Sequence, residues 1–431
     1  MPSRTSAAVR VAVLADSDTR WKWGALTARR ITPPDTATTG FLLRGRATPT
    51  ARQLAEVGAG PDVPREVTAA RFLRAVREEA YDVVVLALVG GTVRAMLHGL
   101  SAMDLPRRPV IVTGYVGVVY EKLADGLLLR HGADVVLANS RHDAARFRAV
   151  YEGVGADASA VVEAALPFLG GARYAPRPGR DTVVFAAQPS VPASRAERAY
   201  LLRRLVDHAR LHPDREVLLK LRSRPGEHTT HIEELPYQKL VRSLAPPSPP
   251  PNFRLVYGHM GEVLDRTDLL VTVSSTAALE ALHRRVPTAV LTDLGVREAL
   301  GNHHFIGSGL LTSWDRLDAG HRPVPREEWT ADQGVASDGT YDSAFDEARE
   351  RVALLLAGPA LPPAAPYYTA TTAPGYLPGV LARHRLDGGP EGTGPTGVRR
   401  VLRDAVRGLA RGAYRHGVQR VAPLIRRLGE L

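Results

Sequence analysis

Short apolar runs that end in polar loops and pass into helix-spaced segments recur along this chain, and that rhythm restricts the fold more than any single residue. The first run is Val9 to Ala15, broken by Asp16, Ser17, Asp18 and Thr19 before Trp21 opens a helical stretch. Tyr81 to Val89, Val110 to Thr113, Asp134 to Ala138 and Val161 to Leu166 repeat it. A second series runs through Thr182 to Ala187, Glu216 to Leu221, Phe253 to Tyr257, Leu269 to Val273 and Thr288 to Thr292. Runs this uniformly apolar suit strands buried on both faces. Repeated strand–helix alternation predicts α/β architecture with parallel sheets and right-handed crossovers.

The 431 residues exceed what one core accommodates, so two domains are expected. Residues 1–169 form the first, and 170–180, with glycines and two prolines, read as a linker. The second covers 181–366, and 367–386 supply a helix returning toward the first. Residues 387–431 make a glycine-rich connection and a basic amphipathic tail. Cysteine is absent, which excludes disulfides, a thiol nucleophile and thiolate metal sites. No apolar run is long enough to span a bilayer and Met1 to Val9 lacks the apolar core of a secretory signal, so a cytoplasmic location is expected.

The net charge of +11 points less to nucleic acid than it first suggests. Of 56 basic residues only Lys22, Lys122, Lys220 and Lys239 are lysines, an arginine, alanine and proline bias of the kind a high-GC genome imposes. From Thr396 onward nine arginines face only Asp404 and Glu430, so the body of the chain is close to balanced. Aromatic residues make up 6% and do not interleave with basic ones outside Arg20 to Trp23, so no nucleic-acid partner is expected. In the tail, Val398, Val401, Leu402, Val406, Leu409 and Ala413 recur at helical spacing among the arginines. Residues 398–428 therefore read either as a solvated, partly ordered tail or as a peripheral contact with the anionic inner face of a membrane.

Ligands of open α/β sheets bind beyond the carboxyl ends of the strands, which directs attention to the loops that follow them. In Val271-Thr-Val-Ser-Ser-Thr-Ala-Ala-Leu-Glu280 a strand ends and Ser274, Ser275 and Thr276 open a helix, where free amides receive phosphate. Serine and threonine are also ordinary helix caps. In Leu218-Leu-Lys-Leu-Arg-Ser-Arg-Pro-Gly-Glu-His228 the cations Lys220, Arg222 and Arg224 alternate, and period two places them on one side. Such a face suits a diphosphate, with Glu227 and His228 placed to orient a ribose or leaving phosphate, or else is a solvated basic edge. Asp16-Ser-Asp-Thr-Arg-Trp-Lys-Trp23 follows the first strand and offers Asp16 or Asp18 as a general base, unless Asp16 caps the helix. It lacks G-x-G-x-x-G, which disfavours nicotinamide or flavin. Lys22, Gly90, Gly91, Gly114 and Tyr115 stand in post-strand segments as candidate acceptor or cleft residues. His303 and His304 are adjacent and point apart, so no metal site is expected.

The segment Thr182 to Thr292 resembles the nucleotide-sugar-binding domain of GT-B glycosyltransferases. Val273 to Glu280 is similar to the strand-turn-helix that holds donor phosphate in capsule, sialic-acid and glycerophosphate transferases. Lys220 to Glu227 stands where many of these carry a basic residue and a His-Pro element, and the His-Pro is missing here. The stretches Ala15 to Gly24 and Lys220 to His231 resemble a group of actinobacterial glycosyltransferases. The resemblance implies two Rossmann-like domains facing across a cleft, here with a basic helical tail. It implies sugar transfer from a nucleotide-sugar substrate to a hydroxyl acceptor, such as a cell-envelope glycan or glycolipid, without bound cofactor or metal. Lys220, Arg222, Arg224 and Ser274 to Thr276 would steady the departing phosphate, and Glu280 would touch the donor ribose or serve packing or the surface. A nucleotide-sugar 2-epimerase and a non-catalytic binder of anionic glycan or nucleotide are the alternatives. Oligomeric state is not legible.

Overall fold

The computed structural model describes residues 8–386, apart from 46, 59–62, 119–121, 180, 225–226, 228–234, 245–247 and 336–338. His228 and the whole tail from 387, including the amphipathic stretch expected at 398–428, lie outside the described residues. Among the described residues no helix is long and apolar enough to cross a membrane.

Two sheets, parallel at every pairing, carry the fold. The first holds β1 (Arg10–Ala15), β2 (Ala37–Leu43), β3 (Arg65–Val67), β4 (Val83–Ala87), β5 (Val110–Gly114), β6 (Val135–Ala138) and β7 (Val161–Glu163), in the order β3-β2-β1-β4-β5-β6-β7. The second holds β8 (Thr182–Ala186), β9 (Glu216–Lys220), β10 (Phe253–Val256), β11 (Leu269–Thr272), β12 (Thr288–Leu291) and β13 (Leu311–Thr312), in the order β10-β9-β8-β11-β12-β13. Strand order reverses at β1/β4 in the first sheet and at β8/β11 in the second, so each is doubly wound and has one switch point where a crevice opens. The domains are Rossmann-like.

Central strands are wholly buried, as parallel strands covered on both faces must be. The helix Asp18–Ile31 lies hard on the first sheet because Gly24 permits it: a Cβ there would stand 2.7 Å from Val13 Cγ1 and 2.9 Å from Ala87 Cβ. Trp23, on the same helix, is buried against the sheet.

The two domains share apolar packing. Ala278, Leu279 and Leu282 of the helix Ala277–His283 join one continuous core with Trp21, Leu166 and Leu169 of the first domain. The chain is back on the first sheet by the helix Asp346–Ala357, whose Ala348 and Val352 enter that core. Residues beyond it strap the first domain further. Ser101 Oγ donates to Ala364 O at 3.0 Å, and the helix Leu377–His384 packs on the helix Gly90–Ser101, with its Val380 buried in the first domain's core.

Candidate active site

Each switch point is closed by one polar side chain from the loop after its first strand. In the first domain Asp16 follows β1, and its Oδ2 accepts from the Val89 amide after β4 at 3.1 Å. Its Oδ1 accepts from Arg20 Nη1 at 3.0 Å. The helix cap is Ser17, whose Oγ accepts from the Arg20 amide, so Asp16 does not cap that helix and instead ties two loops together. In the second domain Gln188 follows β8. Its Oε1 accepts from the Ser274 amide at 3.0 Å and its Nε2 donates to Ser274 Oγ at 3.1 Å. Gln188 carried no sequence signal beyond its place after a strand.

The loops beyond the two sheets then meet. Asp18 is the first residue of its helix and only 7% exposed. Its Oδ1 accepts from Arg222 Nη2 at 2.6 Å and from Thr19 Oγ1 at 3.3 Å. Arg222 also donates to the Thr19 hydroxyl. Beside this pair Arg52, on the helix Ala51–Val57 of the first domain, makes a bidentate contact with Glu227 of the second and a further one with Glu56. Lys22 Nζ stands 3.6 Å from Glu280 Oε2, again across the domains, and 4.7 Å from the centre of the Phe168 ring. Arg52, Glu56, Thr19 and Gln188 are the residues that sequence reasoning missed. Arg52 and Glu56 sit on a short helix with no strand motif beside it, so nothing local marked them.

The three alternating cations differ in burial and in partner. The strand β9 ends at Lys220, which is buried, and beyond it Leu221 and Ser223 are buried while Arg222 is half-buried and Arg224 exposed. Lys220 is 6% exposed and its Nζ donates to Leu221 O at 2.8 Å. Burial penalises the ammonium and pushes its pKa down from 10.5 to about 8. Arg222 turns to Asp18, while Arg224 lies over the Tyr257 ring at 5.6 Å. Burial works against the charge on Glu227, yet Arg52 and the Arg224 amide, 2.7 Å away, hold its carboxyl below the usual range.

At the start of the helix Ala277–His283, Ser275 Oγ accepts from the Ala277 amide at 3.2 Å. Ser274 is buried and donates to Leu300 O at 2.6 Å. Thr276 is the capping residue but makes no side-chain cap bond. Glu280 is buried one turn on. His259, at the start of the helix Met260–Leu264, has its pKa pushed down by burial and by Lys22, against the carboxylate of Glu280.

On the acceptor side, Gly90 opens the helix Gly90–Ser101, and a Cβ there would stand 2.9 Å from Leu129 Cδ1. At Gly91 it would lie 3.9 Å from the Tyr376 hydroxyl. Gly114 and Tyr115 serve the interior of the first domain. A Cβ on Gly114 would lie 2.7 Å from Trp23 Cζ2, and the Tyr115 ring packs 4.0 Å under the Arg130 guanidinium. From that loop it is Gly117 that reaches the other domain, toward Thr276. His208, His212 and Asp318 form a grouping of metal-type side chains away from this cleft, at the far end of the helix Arg195–Leu211. His208 is already engaged on both ring nitrogens, with Asp318 at 2.6 Å and Arg215 at 3.3 Å.

A family described as "Putative glycosyltransferase (DUF6716)" matches residues 11–355. The chain belongs to this family. Its architecture is that of GT-B glycosyltransferases and the epimerases that share their fold. UDP-GlcNAc 2-epimerase from Neisseria meningitidis, solved bound to UDP-GlcNAc, superposes with a TM-score of 0.53 at 10% identity, over 81% of this chain and all of that one. The UDP-GlcNAc 2-epimerase of Methanocaldococcus jannaschii gives 0.51 at 10% identity, over 81% of this chain and 100% of its own. The S. aureus MnaA-UDP co-structure gives 0.51 at 13% identity, over 81% and 96%. At such identities the shared property of this glycosyltransferase-family chain and these proteins is the fold. No curated protein matches the sequence.

Proposed function

We propose that the chain transfers a sugar from a nucleoside diphosphate to a hydroxyl acceptor, the second domain holding the donor and the first presenting the acceptor. The observation that carries this reading is the meeting of Arg222, just past β9, with Asp18, just past β1, at 2.6 Å. An anion-binding guanidinium and a buried carboxylate stand together where the carboxyl ends of two Rossmann-like sheets converge. Lys220 adds a second cation to the donor side.

In this scheme Asp18 takes the proton of the acceptor hydroxyl. The acceptor oxygen bonds the anomeric carbon, and the carbon–oxygen bond to the diphosphate breaks with its electron pair left on phosphate. Charge develops on that phosphate, and Lys220 and Arg222 are fixed beside it. Side-chain cations take the part of a divalent ion, so chelation with EDTA leaves turnover intact; loss of activity restored by magnesium sinks that point. Asp16, tied to Val89 and Arg20, positions the loop.

The test is a melting-shift screen against UDP, GDP, CDP, CMP, dTDP and ADP, since a ligand of the native state raises its melting temperature. One nucleotide stabilising the wild type and not Lys220→Ala supports the reading; no shift from any of them removes it. The named epimerases of the same fold favour one second reading, C2 epimerisation of the donor. A C2 epimer formed from nucleotide sugar with no acceptor present replaces transfer by epimerisation. For the arginine-rich segment 398–428 we propose contact with anionic lipid; equal liposome binding by the full chain and a chain ending at Gly394 contradicts it.

A further inference from the structure

We propose that Asp18 is the resident occupant of the donor's anion site, and that donor phosphate displaces it from Arg222, so that donor binding and release of the base are one exchange. This rests on the donor-site reading above.

The cations of the cleft differ in how they are engaged. Arg52 is gripped by two carboxylates, Glu56 and Glu227. Lys220 spends its ammonium on a backbone carbonyl and pairs with no carboxylate among the described residues. Arg222 lies between these cases, with one carboxylate partner, Asp18, supplied by the opposite domain. Both bonds to Asp18 fall on Oδ1, one from Arg222 and one from the Thr19 hydroxyl. Carboxylate and phosphate present similar oxygen geometry to a guanidinium, so they compete for it. A diphosphate carries more charge and more acceptor oxygens, and it reaches Lys220, which Asp18 does not. Displacement is therefore favourable only when the donor is present.

The consequence is order. While Asp18 is held on Arg222, its Oδ1 is taken up by the guanidinium and the Thr19 hydroxyl and is not presented to an acceptor. Once phosphate holds Arg222, that oxygen is released from the guanidinium and can receive the acceptor's hydroxyl hydrogen bond. Acceptor deprotonation thus waits on donor binding. Coupling of this kind is reciprocal: whatever removes Asp18 from Arg222 must improve anion binding.

The experiment titrates full-length wild type, Asp18→Asn, Arg222→Gln and the double variant with UDP calorimetrically, alongside transfer assays and melting curves. Asp18→Asn keeps the side-chain shape and removes the competing charge. It is expected to bind UDP about tenfold more tightly while turnover falls at least a hundredfold. Arg222→Gln binds more weakly, and in the double variant the gain from Asn disappears. Asp18→Ser, which also lacks the charge, serves if Asn misfolds and is expected to tighten binding likewise. A merely structural cross-domain contact predicts the opposite for Asp18→Asn, a lower melting temperature and weaker UDP binding. Binding no tighter than wild type, or tightening that persists without Arg222, overturns the exchange. If neither wild type nor Asp18→Asn binds UDP, GDP, CDP, dTDP, ADP or CMP, the donor-site reading fails and the exchange with it.

Discussion

Gly117 of the first domain faces Thr276 of the second so closely that a Cβ at 117 would lie 3.2 Å from Thr276 Oγ1. Because both residues sit in loops past the carboxyl ends of their strands, this approach sets how tightly the cleft closes. Gly117→Val is therefore expected to wedge the start of the helix Ala277–His283 away from the first domain. Turnover should fall by about tenfold, the scale of a 1 Å misplacement or less. Circular dichroism should show the fold retained; unchanged kcat/KM removes the contact from the working geometry.

Lys220 holds its charge at a cost to the fold. The folded chain binds this proton less tightly than the unfolded one, with the pKa lowered from 10.5 to about 8. The penalty is fully present below about pH 8 and relieved as pH rises toward the unfolded value. Lys220→Met keeps the buried stem and removes the charge. It is expected to stabilise the chain by about 2 kcal/mol near pH 7, less near pH 10, and to abolish nucleotide binding. Denaturant titrations at the two pH values check this.

The same residue sets a pH dependence of binding. Its ammonium is charged below about 8 and neutral above. Affinity for a nucleotide sugar is expected to fall from about pH 7 to about pH 9, with bound phosphate moving the inflection upward by favouring the ammonium. Lys220→Arg, which does not titrate there, should flatten the curve even where it weakens binding. A wild-type affinity that does not change over this range contradicts the prediction.

Gly114 separates packing from chemistry. An added Cβ would press on Trp23 Cζ2 at 2.7 Å and on Leu137 O at 2.9 Å, and backbone oxygen cannot move aside. Gly114→Ala is expected to lose about 1–3 kcal/mol of stability. In the surviving folded fraction the acceptor KM should stay within about twofold of wild type, since the residue serves the interior.

The parallel sheets and the placing of interest in post-strand loops were legible in the sequence, because buried strands write long apolar runs. The strands β2, β3 and β13 were not. In β2, Ala37 to Gly40 are not fully buried, and β13 has only two residues, so neither presents an apolar run. Lys220, Arg222 and Arg224 alternate in the sequence, but their different partners, Leu221 O, Asp18 and the Tyr257 ring, are set by segments far from them along the chain or by burial.

The sequence by itself determined most of the segments that become strands, that Asp18 and Arg222 stand just past two of them with Lys220 at the end of one, and that no thiol takes part in any chemistry. It could do so because hydrophobic period and turn chemistry act over a few neighbouring residues. Only the tertiary structure decided that Asp18 answers Arg222, that Arg52 answers Glu227, and that Lys22 answers Glu280. Partners 175 residues apart, as Arg52 and Glu227 are, leave no local mark on one another. They meet because two separately folded sheets share one apolar core, and that packing chooses which loop faces which.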